Sequence, residues 1–120
     1  MEKSDIAWPQ YVIYILVMLF VFFASTSNAQ ITATHFNAGW NEANSCKWFM
    51  GLKDCKTLST VDIAKNPDDA KKYKIASVPT IIIFKDGEEV ARFQADLSFT
   101  LAATKKEVQE KIDEVIMSDF

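Results

Sequence analysis

The sequence predicts a small α/β domain built on a mixed sheet, and three observations carry that reading. Thr80 to Phe84 (TIIIF) is a continuous β-branched run, the pattern of a strand buried on both faces. Asp86-Gly87 after it is a two-residue hairpin signal, so Glu88 to Gln94 should return antiparallel. Thr104-Lys105-Lys106-Glu107 is a capping box. It opens a helix whose Val108, Ile112, Val115 and Ile116 share one face.

The other elements follow from local pattern. Ile31 to Phe36 (ITATHF) alternates apolar and polar residues among β-branched types, as a strand does. Asn41 to Lys53 reads as a helix, with Trp48, Phe49 and Leu52 at helical spacing and Gly51 beginning its stop. Leu58 to Ile63 (LSTVDI) reads as a second strand. Asn66 is placed to cap a short helix with Pro67 in its first position, where a missing N–H costs nothing, and that helix ends by Tyr73. The order is strand, helix, strand, short helix, strand, hairpin strand, helix.

Composition narrows the function classes. The chain has 120 residues, 13 Lys plus Arg against 16 Asp plus Glu, and a net charge of −3. That is room for one small domain. It carries no basic cluster of the kind nucleic acid requires, so no nucleic-acid partner is expected. One histidine and two cysteines give no zinc-type ligand set, so neither a metal nor a cofactor is expected.

The chain divides at residue 29. Tyr11 to Ala24 is an unbroken apolar run of 14 residues, the length of a signal-peptide core, and Ser27-Asn28-Ala29 supplies small residues for cleavage near Ala29. Extended back to Ile6 it approaches the roughly 20 residues of a membrane-spanning helix, with Trp8, Tyr11 and Tyr14 as interfacial aromatics. Residues 1–29 are therefore a signal peptide or an N-terminal hydrophobic helix that anchors the chain in a membrane. A buried helix of a soluble domain is the third, plainer reading. The nearby positive charges precede the run and none follows until Lys47. The first two readings thus place residues 30–120 outside the cytoplasm, either tethered to the membrane or secreted or periplasmic after cleavage.

A long ordered stretch then points to a family. Asp62, Asn66-Pro67, Tyr73-Lys74-Ile75, Val78-Pro79-Thr80, the apolar strand and the Asp86-Gly87 turn occur in the order found in thioredoxins, and the segment resembles that family closely. The resemblance extends through the last helix and covers most of residues 31–117. It implies a thioredoxin-like fold, with Pro79 as the family's cis-proline. Phe36-Asn37-Ala38-Gly39-Trp40 resembles the segment that leads into the family's Cys-x-x-Cys, and here Asn41-Glu42-Ala43-Asn44 follows. By resemblance, asparagine then stands at both motif cysteines, and an amide has no ionisable thiol with which to attack or resolve a disulfide. His35 falls where the family often has a buried acid. The spacing from Asn41 to Pro79 is shorter than usual, which should shorten the first helix. Ala95 to Ala103 (ADLSFTLAA) looks like an insertion able to approach the same groove.

Two functions from different classes follow. The first is an extracytoplasmic thioredoxin-like module lacking the redox motif, binding a protein or extended peptide, or serving as a scaffold, through Trp40, Asn41, Glu42, Asn44, Val78 and Pro79. The backbone beside Pro79 would pair with the peptide. The alternative is a thiol–disulfide oxidoreductase using Cys46, with or without Cys55. Nine residues along a continuous helix span ~13.5 Å, beyond disulfide reach, so these cysteines bridge only if the helix ends near Gly51. A structural disulfide, two inert buried thiols and a reactive Cys46 are all open. His35 reads as a packed, hydrogen-bonded side chain, Asn41 and Asn44 as helix caps or peptide contacts, and Lys71, Lys72 and Lys74 as a solvated face.

Overall fold

The computed structural model describes residues 30–118, so all three readings of residues 1–29 concern a segment outside the described residues. Four strands form one sheet in the order β2-β1-β3-β4: β1 (Ile31–Asn37), β2 (Thr57–Asp62), β3 (Thr80–Lys85) and β4 (Glu88–Gln94). β1 runs parallel to β2 and antiparallel to β3, with His35 opposite both Thr60 and Ile81. The sheet is therefore mixed, as the sequence pattern requires. β3 lies inside it, and Thr80, Ile81, Ile82 and Ile83 are fully buried. Period-two alternation explains why each face needs a cover.

One face packs the main core. Ile31, Ala33, Ile81 and Ile83 meet Phe49 and Leu52, together with Val108, Ile112 and Val115 of helix α2 (Lys105–Met117). Thr104 accepts from the Glu107 N–H and the Glu107 carboxylate takes the Thr104 N–H, so both halves of the capping box form. Ile116, on the same stripe, is only half-buried. On the opposite face Tyr73 packs against Phe36 and Phe84, with ring centroids 5.3 and 5.6 Å away. Tyr73 closes the short helix α1 (Pro67–Lys72). The Arg92 guanidinium fixes that end by donating to the Tyr73 and Lys74 carbonyls at 2.6 and 3.0 Å.

The hairpin turn forms at Asp86-Gly87 with φ of 53° and 86°, the left-handed pair such a turn demands. Glycine is well suited to the second place.

Three local expectations are corrected. Asn41 to Lys53 is not one helix: it is two short 3₁₀ segments, Gly39–Asn44 and Phe49–Gly51, separated by extended backbone at Ser45. The Cys46 N–H, which a continuous helix would direct at Glu42, instead donates to His35 Nε2 at 3.3 Å. A tertiary acceptor outcompetes the helical one. Asn66 makes no side-chain cap: its amide donates to the Asp62 carbonyl at 3.0 Å, bracing the β2–α1 turn rather than the helix. Nor do Asn41 and Asn44 cap the first 3₁₀ segment, whose N-cap is Ala38 without a side-chain bond.

Candidate functional site

The site lies at the C-terminal end of β1. Because β1 and β3 are antiparallel neighbours, the exit from β1 meets the entrance to β3, and Asn37 and Gly39–Asn44 meet Val78-Pro79 there. The Val78–Pro79 peptide is cis, and both residues are buried.

Asn41 is the hub. Its side chain is 4% exposed. Nδ2 lies 3.1 Å from Asn37 Oδ1, 3.3 Å from the Val78 carbonyl and 3.2 Å from the Phe99 carbonyl. An amide has two N–H donors, so three acceptors at these distances share them. Asn41 Oδ1 accepts from Asn44 Nδ2 at 2.9 Å, and the Asn41 carbonyl accepts from Asn37 Nδ2 at 3.2 Å. Among the described residues no buried side-chain nitrogen or oxygen lacks a partner, so this polar cluster is fully satisfied. Satisfied, it holds one geometry; half-satisfied, it would be costly.

The predicted binding residues thus come together, in two layers. Asn41, Val78 and Pro79 are buried, whereas Trp40 (66% exposed), Glu42 and Asn44 face solvent. The Ala95–Ala103 segment does approach: the Phe99 ring meets Trp40 edge-on, centroids 5.2 Å apart. Two site residues escaped the sequence reading. Asn37, one residue past the strand pattern that ends at Phe36, is the last, buried residue of β1. Phe99 sits within the Ala95–Ala103 segment, where apolarity is the one signal it carries.

His35 is 3% exposed and stacks on Phe49 with centroids 5.4 Å apart. Burial lowers its pKa, against the opposing pull of the Glu42 charge. Accepting from Cys46 at Nε2 places its ring proton on Nδ1. With its acceptor nitrogen engaged, His35 is a structural partner of the Cys46 backbone.

Cys46 and Cys55 are free, half-buried thiols packed against the core. Burial pushes Cys46 up to about 11. Burial, aided by the Asp54 charge, raises Cys55 as well. Both shifts oppose thiolate formation, the reverse of what an attacking thiol needs. Among the described residues no cluster of His, Cys, Asp or Glu is arranged to hold a metal ion, and no helix is long and apolar enough to cross a membrane.

One cleft borders the site and another lies apart from it. One of about 100 Å³ runs beside the asparagine cluster, lined by His35, Asn37, Gly39, Glu42 and Asp62. An open cleft of about 620 Å³ lies between Lys53 and the first turns of α2. Its lysines 53, 105 and 106 face Glu110 and Asp113, so it presents both signs of charge and contains no residue of the site.

Residues 29–114 match the family model described as thioredoxin. The chain belongs to the thioredoxin family. Among curated relatives, the chloroplastic thioredoxin Y1 of Arabidopsis thaliana is 40% identical over 63 residues, which cover 52% of this chain and 33% of that protein. The thioredoxin of Chlamydia trachomatis is 50% identical over 36 residues, 30% of this chain and 35% of that protein. The matched stretches thus span about a third of each relative. Among solved structures, Schistosoma mansoni thioredoxin superposes with a TM-score of 0.57 at 25% identity, covering 80% of this chain and 85% of that one. A mutant thioredoxin from Halobacterium salinarum gives 0.56 at 19% identity, covering 74% and 77%. In this chain the turn after β1 is joined to Val78, just before β3, by the Asn41 amide.

Proposed function

We propose that this chain is a thioredoxin-family binding module without thiol–disulfide chemistry, in which Asn41 and Asn44 replace the two motif cysteines. The observation that carries the reading is the state of Asn41. Its amide is buried and committed to the Val78 and Phe99 carbonyls, a positioning role that no thiol chemistry could share. Trp40, Glu42 and Asn44 remain exposed around it. An exposed tryptophan beside a rigid polar cluster suits partner contact, since large aromatics anchor interfaces at low entropic cost. The ligand is a protein or extended peptide, met at Trp40 and, beneath the inserted loop, at the backbone beside Pro79. The hydrophobic residues 1–29 direct the domain out of the cytoplasm, tethered or released.

An oxidoreductase acting through Cys46 is disfavoured by that thiol's burial and raised pKa.

A displayed random-peptide selection against the purified full chain tests the reading. Peptides selected by the unsubstituted protein should lose about ten-fold or more in affinity on Trp40→Ala, the loss typical of a central aromatic anchor. Selected peptides that bind Trp40→Ala equally well would overturn the assignment of this surface.

A further inference from the structure

The loop after β4 is an organised turn. The Ala95 N–H continues the strand by donating to the Pro79 carbonyl at 3.0 Å, and Ser77 Oγ donates to the Ala95 carbonyl at 2.9 Å. Beyond that anchor the chain ties to itself. The Asp96 N–H donates to the Thr100 carbonyl at 3.2 Å and the Phe99 N–H to the Asp96 carbonyl at 3.1 Å. The Asp96 carboxylate accepts from the Ser98 N–H at 2.9 Å. Leu97 at the tip is 98% exposed.

Contact with the site comes through Phe99. Its carbonyl takes Asn41 Nδ2, and its ring rests on Trp40. The same nitrogen holds the Val78 carbonyl, so Phe99 and the residue before Pro79 share one donor. Phe99 has a φ of 61°, a left-handed conformation unfavourable for a bulky residue. The turn thus ties itself by several hydrogen bonds and reaches the site through one hydrogen bond and one ring contact.

We propose that Asp96–Thr100 is an internal strap, seated in the groove beside Pro79 and displaced when a partner's extended segment enters. This rests on the binding reading above and deepens it. The strap offers what such a segment would offer: a backbone carbonyl to Asn41 and an aromatic ring to Trp40. Competition is for one donor and one ring, so the favoured partner carries an apolar or aromatic side chain beside a free backbone carbonyl. A site open for only a fraction of the time loses apparent affinity by that fraction.

Thiol accessibility tests this without any partner. Val78→Cys in the full chain places a thiol at a buried position whose carbonyl shares the Asn41 amide with Phe99, and N-ethylmaleimide is the probe, read by peptide mass with Cys46 and Cys55 as internal references. Adding Phe99→Ala should accelerate labelling at position 78 by about ten-fold, while Cys46 and Cys55 change by less than about two-fold. An unchanged rate at position 78, or equal acceleration at all three thiols, would overturn the strap. Should Val78→Cys fail to fold, amide hydrogen exchange on the unsubstituted chain decides. The Asp96 and Phe99 amides should exchange through a local opening faster than those of the Ala95 anchor and Ile81–Ile83. Exchange of both groups at one common rate would mean that the strap never opens alone. Failure of the peptide selection leaves both results standing, and failure of the strap leaves the Trp40 surface standing.

Discussion

Asn41 Nδ2 lies 3.3 Å from the Val78 carbonyl oxygen, joining the turn after β1 to the residue before Pro79 across 37 positions of sequence. The contact is chemically specific: a carbonyl accepts, an amide nitrogen donates, and a carboxylate or thioether in place of Asn41 could not supply the bond. The same nitrogen reaches Phe99, so one side chain organises three segments remote in sequence.

Asn41→Ala should therefore destabilise the domain well beyond a surface substitution. It leaves the Asn37 Oδ1, Val78 and Phe99 acceptors and the Asn44 donor without their partner. Stranded buried polar groups cost about 1–3 kcal/mol each, reduced where water enters. Asn44→Ala, removing one donor from an exposed position, should cost less than about 1 kcal/mol. Urea unfolding of the two variants checks the order.

Stability should fall with acid in a window set by His35. Its folded pKa is lowered by burial, so the native state resists the proton that the unfolded chain accepts. The contribution is present in full above the unfolded value of about 6.5 and is lost as the pH falls from there through the lowered folded value. Protonation also removes the acceptor of the Cys46 N–H. His35→Gln keeps an acceptor without titrating, and it should flatten the slope of unfolding free energy against pH between about 7 and 5. Chemical denaturation across that range measures it.

Cys46 should be a poor nucleophile. With a pKa of about 11, roughly one thiol in ten thousand is ionised at pH 7. Alkylation of the native protein at pH 7 should run more than about a hundred-fold slower than in the urea-unfolded chain, where an ordinary thiol is ~3% ionised. Comparable rates in the two states would show an exposed, activated sulfur.

Much of the fold was legible because the deciding signals are local. The Asp86-Gly87 turn and the Thr104–Glu107 cap act within four residues, and the TIIIF run states its own burial. The helix expected over 41–53 failed because His35, on another element, captures the Cys46 N–H; propensity has no access to such a competitor. The candidate site was legible as a constellation: Trp40, Asn41, Val78 and Pro79 do lie together. Their depth was not. Nothing in the local pattern says that Asn41 is buried, because its acceptors come from β1, from Val78 and from the loop after β4.

The central claim is that the turn after β1 carries asparagines where a reductase carries thiols. The most direct test is the rate of dithiothreitol-driven reduction of insulin disulfides, compared between the unsubstituted chain and Asn41→Cys/Asn44→Cys. The account predicts the uncatalysed rate for the unsubstituted protein and a clear gain for the double variant. Catalysis by the unsubstituted chain that disappears on Cys46→Ser would contradict it, and so would a folded double variant with no activity.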